Sequence, residues 1–139
     1  MKLISLFLLL TIHLSAKDYG SIVISEVTSI YDGDTFTVNI KDYPPIVGNR
    51  ISIRVNGIDT PEMRGKCHKE KALARLAKQF TVAQLRSTEV IELRNIQRGK
   101  YFRIVADVYV DGNSLTKGLI EAQLGVKYDG GKKAKDWCE

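Results

Sequence analysis

The sequence is short of cysteine, having only Cys67 and Cys138 and no paired C-x-x-C spacing, so a structural zinc site is poorly supported. It also lacks a long apolar run. The stretch from Leu3 to Ile12 falls well below the roughly 20 residues a membrane-spanning helix needs. Its few prolines, Pro44, Pro45 and Pro61, build no linker, and there is no repeat or low-complexity tract, which argues for one domain rather than a string of modules. Histidine is nearly absent too. His13 falls in the N-terminal segment and receives no function, and His68 reads as a solvated residue at a helix start.

What is present begins with residues 1–16, where Lys2, an apolar stretch and the small pair Ser15-Ala16 precede polar sequence, the pattern of a secretory signal. Cleavage after Ala16 is expected, with an uncleaved anchor as the alternative. Export to the periplasm or the medium follows, without stable membrane association once the leader is gone. Residues 17–139 then form a single domain with one modest core, expected to act as a monomer. Losing the leader removes one of 21 basic residues and none of the 16 acidic ones, so the excess falls from +5 to +4 and still favours polyanions. Export also favours a Cys67 to Cys138 disulfide over a metal site or two free thiols. Such a bridge closes a loop of about 70 residues, worth at most ~4 kcal/mol on chain-entropy grounds.

Ile22 to Ile30 reads as a first strand ending at the turn Tyr31-Asp32-Gly33-Asp34. Thr35 to Ile40 alternates cleanly as a second strand, with Phe36, Val38 and Ile40 inward. A loop at residues 42–49 leads to a third strand, Arg50 to Val55, whose alternation turns Arg54 away from the core. From Lys69 to Arg86 the period changes to that of an amphipathic helix, with Leu73, Leu76, Ala77 and Phe80 on its apolar face. Two more strands, Glu89 to Ile96 and Tyr101 to Val110, flank a basic turn, Gln97-Arg98-Gly99-Lys100, and a second helix through Leu115, Leu119 and Ala122 stops at Gly125. Three strands, helix, two strands, helix is the order of a five-stranded oligonucleotide/oligosaccharide-binding (OB) barrel, a mainly β, α+β fold.

The chemistry gathers around Ile53-Arg54-Val55-Asn56-Gly57-Ile58-Asp59-Thr60-Pro61-Glu62. A strand-borne arginine runs into a stiff turn displaying two carboxylates. Asp32 and Asp34 flank an earlier turn, and with Asp59 they can surround one hard cation: calcium accepts an adaptable oxygen shell, magnesium a stricter one. Arg103, in Gly99-Lys100-Tyr101-Phe102-Arg103, is a second guanidinium able to grip two phosphoryl oxygens.

Asp32-Gly33-Asp34-Thr35, then Arg54 ahead of Asp59-Thr60-Pro61-Glu62, then Lys100-Tyr101-Phe102-Arg103, in that order, resemble the signature of the staphylococcal (thermonuclease-like) nuclease family from about Val27 to Tyr128. The resemblance implies a calcium-dependent nuclease on an OB barrel that cuts DNA and RNA to 3′-phosphate products. By residue match, Asp34, Asp59 and the Thr60 carbonyl would ligate Ca2+, and Glu62 would assist the attacking water. Arg54 and Arg103 would hold the phosphate, while Lys100, Tyr101 and Tyr128 would contact the nucleotide. The sequence departs from the family where Phe102 replaces a frequent glycine, where a tyrosine-rich segment shrinks to Tyr128, and in the lack of a long third helix. The competing expectation is a non-catalytic OB module that binds nucleic acid or oligosaccharide, which would have no need of Glu62 beside both arginines.

Overall fold

Alternation at Thr35 to Asn39 is obeyed residue by residue: in the computed structural model, which describes residues 18–139, Phe36 and Val38 are fully buried and their neighbours only partly so. The expected leader, 1–16, lies outside the described residues. The elements run β1 (Ile22–Val23), β2 (Glu26–Ile30), β3 (Thr35–Asn39), α1 (Pro45–Gly48), β4 (Ile51–Val55) and β5 (Ile58–Asp59). They continue with α2 (His68–Arg86), β6 (Ile91–Arg98), β7 (Ile104–Val110), β8 (Asn113–Ser114), α3 (Leu115–Glu121) and β9 (Val126–Lys127).

The main sheet has the order β1-β6-β7-β4-β3-β2. The expected first strand is broken at Ile24–Ser25, and its halves lie at opposite ends of that order, β1 on β6 and β2 on β3. One strand thus serves both edges, and the sheet curls into the five-stranded OB-type barrel, mainly β with three helices among the described residues. Most pairings are antiparallel, but β4 and β7 run parallel, with Ile53 opposite Ile104 and Arg54 opposite Val105. Phe36, Val38, Ile53, Val55, Leu93, Ala106 and Val108 fill the interior. Each large aliphatic or aromatic side chain buried this way contributes about 1.5–3 kcal/mol.

Three local expectations are corrected. On α2 the inward stripe is Glu70, Ala74, Ala77, Thr81 and Leu85, while Leu76 is 52% exposed. Small residues face in because the helix backbone comes close to the barrel. Between β6 and β7 the tip is Gly99 to Arg103 rather than residues 97–100, since Tyr101 and Phe102 take left-handed backbone (φ 56 and 60) and delay β7 to Ile104. Arg103 therefore stands on a loop. Helix α3 ends before the left-handed Gln123 (φ 58). Gly125 serves instead as a close-approach residue. A Cβ there would collide with Ile58 Cδ1, so its absence lets the β9 segment close on β5.

Cys67 and Cys138 are disulfide-bonded, with Cα atoms 6.0 Å apart. The bridge pins a tail that is irregular after β9, as expected, yet buries Trp137. No helix among the described residues is long and apolar enough to cross a membrane.

Candidate active site

Arg54 occupies the middle of the sheet end, paired across to Thr35 of β3 and to Val105 of β7. That register sets it beside Asp34, whose carbonyl accepts from Val55 N–H at 2.8 Å. The Arg54 Nη1 group is ion-paired with Asp34 Oδ1, and Nη2 donates to the Ile58 carbonyl at 3.2 Å and lies 3.9 Å from Asp59 Oδ1. The guanidinium is thereby fixed between two turns.

The Asp34 carboxylate is 1% exposed. Its Oδ2 accepts from Thr60 N–H at 3.2 Å and from the Thr60 hydroxyl at 2.9 Å, and its Oδ1 accepts from the Thr35 hydroxyl at 2.9 Å. Thr60, expected through its carbonyl, orients Asp34 through its amide and side chain. The turn that carries Asp34 is clamped by α2: a Cβ at Gly33 would lie 2.8 Å from Ala77 Cβ, and the buried Thr81 hydroxyl donates to the Gly33 carbonyl at 2.7 Å. Asp34 N–H in turn donates to Asp32 Oδ1 at 3.1 Å.

Asp59 is set by the β5–β9 pairing, opposite Val126, and is likewise buried. Its Oδ1 receives no aligned hydrogen bond among the described residues, yet lies 2.7 Å from the Lys133 ammonium, an ion pair without hydrogen-bond geometry. Lys133 also donates to Glu62 Oε1 at 2.5 Å. Burial pulls the Lys133 ammonium down, but the paired carboxylates of Asp59 and Glu62 outweigh it and hold the group above its ordinary value. Glu62 itself is half-exposed, on a loop whose N–H groups at Glu62 and Lys66 donate to the buried Glu70 carboxylate at 3.3 and 2.9 Å.

A cleft of about 670 Å³ is lined by Asp32, Arg54, Glu62, Arg103, Lys100, Tyr128 and Lys133 among others. Arg103 Nε is buried with no partner among the described residues, a donor left for an anionic oxygen. Tyr128 is held by its N–H to the Gly57 carbonyl at 3.1 Å and its hydroxyl to the Gly131 carbonyl at 2.6 Å. Lys100 is exposed at the rim, and Tyr101, 92% exposed at the hairpin tip, does not line the cleft. A neighbouring groove of about 850 Å³ also reaches Asp59 but is lined by neither arginine, so the two guanidinium groups meet in the smaller cleft.

Comparison with protein-family models matches residues 52–137 to the family described as staphylococcal nuclease homologue. The chain belongs to the staphylococcal nuclease family. No curated protein matches it. The family match starts at Ser52, so the place of Asp32 and Asp34 in this nuclease-family site rests on the geometry, which brings their turn against Arg54 and Thr60.

A divalent cation, typical of the nuclease family, suits the donors present. Asp34 and Asp59 are buried carboxylates, Asp59 Oδ1 lacks an aligned donor, and a side-chain ammonium already stands at Asp59 and Glu62. Burial, then the Asp34 charge and to a lesser degree Glu62, push the Asp32 carboxyl up from 3.8 to about 7. By contrast the Cys67, Glu70 and Cys138 cluster is closed as a disulfide and offers no thiolate.

Two residues of the site escape the sequence reading. Glu70 had a signal, since it falls three positions after the helix N-cap Cys67, whose Sγ accepts from Glu70 N–H at 3.3 Å. Lys133 had none, being one of three lysines in an aperiodic tail.

Proposed function

We propose that the chain is an exported nuclease that hydrolyses phosphodiester bonds of DNA and RNA, acting as a monomer and leaving 3′-phosphate ends. The observation that carries this reading is the convergence of Arg54, Arg103, Glu62 and Asp32 on one cleft next to the buried Asp34 and Asp59. Asp34, Asp59 and the Thr60 carbonyl would hold Ca2+, which supplies charge to polarise the phosphoryl group and to offset repulsion of the incoming nucleophile. Arg54, steadied by Asp34 and the Ile58 carbonyl, binds phosphate oxygens in a fixed orientation. Arg103 brings its unused Nε–H to the same oxygens as charge develops on them. Glu62, released from Lys133, accepts the proton of the attacking water. Lys100 and Tyr128 contact the flanking nucleotide from the cleft wall.

The test incubates the purified chain with plasmid and with RNA, with calcium or with chelator, beside Glu62→Gln and Arg54→Ala. Cleavage is expected only with calcium, and each variant is expected to lose roughly 10²-fold or more in kcat. Binding without cleavage by the intact protein would transfer the chain to the class of non-catalytic OB modules. Export is tested separately, by fractionating the expressing cells and sequencing the mature N-terminus.

A further inference from the structure

The tail after β9 has no regular structure, but it is held at three points. The Tyr128 N–H donates to the Gly57 carbonyl, Trp137 is buried, and Cys138 is bonded to Cys67. Between these anchors Lys133 reaches into the cleft, 2.7 Å from Asp59 Oδ1 and 2.5 Å from Glu62 Oε1. Its neighbour Lys132 is exposed and forms no ion pair among the described residues, so the contact belongs to one lysine and not to the tail's charge at large.

We propose that Lys133 sets the cation requirement of the site: its tethered ammonium pairs with Asp59 and Glu62 and must withdraw before a divalent ion binds. This rests on the nuclease reading for its choice of cation. The ammonium brings one charge and hydrogen-bond donors, whereas a divalent ion brings two charges and accepts several oxygens, so the ion prevails only when its concentration is high enough to offset the displacement. The apparent affinity is the intrinsic affinity multiplied by the fraction of molecules whose lysine is already withdrawn. The four residue steps from Lys133 to the buried Trp137 can extend roughly 13 Å, room for the ammonium to leave the carboxylates while staying at high local concentration. The same withdrawal frees Glu62.

The test titrates calcium alone into the intact chain by calorimetry, then into Lys133→Met, Lys132→Met and the bridge-free Cys67→Ser/Cys138→Ser protein. With about a tenth of the wild-type molecules open, Lys133→Met binds calcium about tenfold more tightly than wild type. Lys132→Met, which removes the same charge without the contact, changes affinity far less. The double-serine protein, its tail released, lies between wild type and Lys133→Met. Equal gains in Lys133→Met and Lys132→Met overturn the proposal and leave the nuclease reading intact, because only net charge would then matter. Calcium uptake by none of the proteins overturns the metal-dependent reading and the proposal together. Should the double-serine protein fail to fold, the two lysine variants, with the bridge intact, decide the matter.

Discussion

Arg54 was legible in the sequence because period-two alternation in Ile51 to Val55 sends it off the core, and the structure adds what fixes it, the ion pair with Asp34 and the bond to the Ile58 carbonyl. A lysine there would keep the charge and lose the fork. Arg54→Lys is therefore expected to keep the fold and lose about 10²-fold in kcat with little change in thermal midpoint. Asp111 makes a different use of charge. It has left-handed backbone (φ 46), and hydrogen bonds from Thr88, then from the N–H groups of Val90 and Glu89, hold its carboxyl below the usual 3.8. A depressed folded pKa gives stability that is present above the unfolded value and lost as pH falls through the folded one. Asp111→Asn, which tolerates that backbone, is expected to lower the melting temperature at pH 7, the deficit closing as pH falls below about 3.8 in a melting series. Lys133 was illegible because an ion pair made from an irregular segment leaves no spacing to read.

At the scale of elements, the strands were readable wherever one face meets the core, as in β3, where Phe36 and Val38 alternate with partly exposed neighbours. Helix α2 was legible in extent and in part of its facing, Ala77 being buried and Phe80 packed against the core, but not at Leu76. Its contact with the Asp34 turn demands small residues, so Ala77 and Thr81 face inward while Leu76 stays in solvent, the reverse of a hydrophobicity rule. The β6–β7 tip was misplaced because left-handed backbone at Tyr101 and Phe102 is unusual for aromatic residues, and the two-residue strands β5 and β9 are too short to show any period. The clamp between α2 and the turn is open to measurement. Thr81→Val keeps shape but leaves the buried Gly33 carbonyl without its donor, and denaturant unfolding is expected to register a loss of about 1–3 kcal/mol. Activity is expected to fall further than stability alone explains, since the same turn positions Asp34.

For the molecule as a whole, the Cys67 to Cys138 bridge spans 71 positions, and reduction is expected to remove up to ~4 kcal/mol, read as a lower chemical-denaturation midpoint. Basic residues exceed acidic ones overall, while the cleft itself mixes arginines and lysines with carboxylates. Substrate capture by such a surface releases counterions, so KM for DNA is expected to rise steeply with salt, and a flat salt profile would rule out phosphate-led binding. The parallel junction of β4 with β7 has a bearing on how the chain is born. Ile53 waits for Ile104, so a ribosome halted anywhere between Asp59 and Ile104 would hold a chain that already contains Asp34, Arg54 and Asp59 yet leaves β4 with a bare edge. Hydrolytic competence should then arise abruptly, near the end of translation, and nascent fragments should be inert and prone to stick to one another.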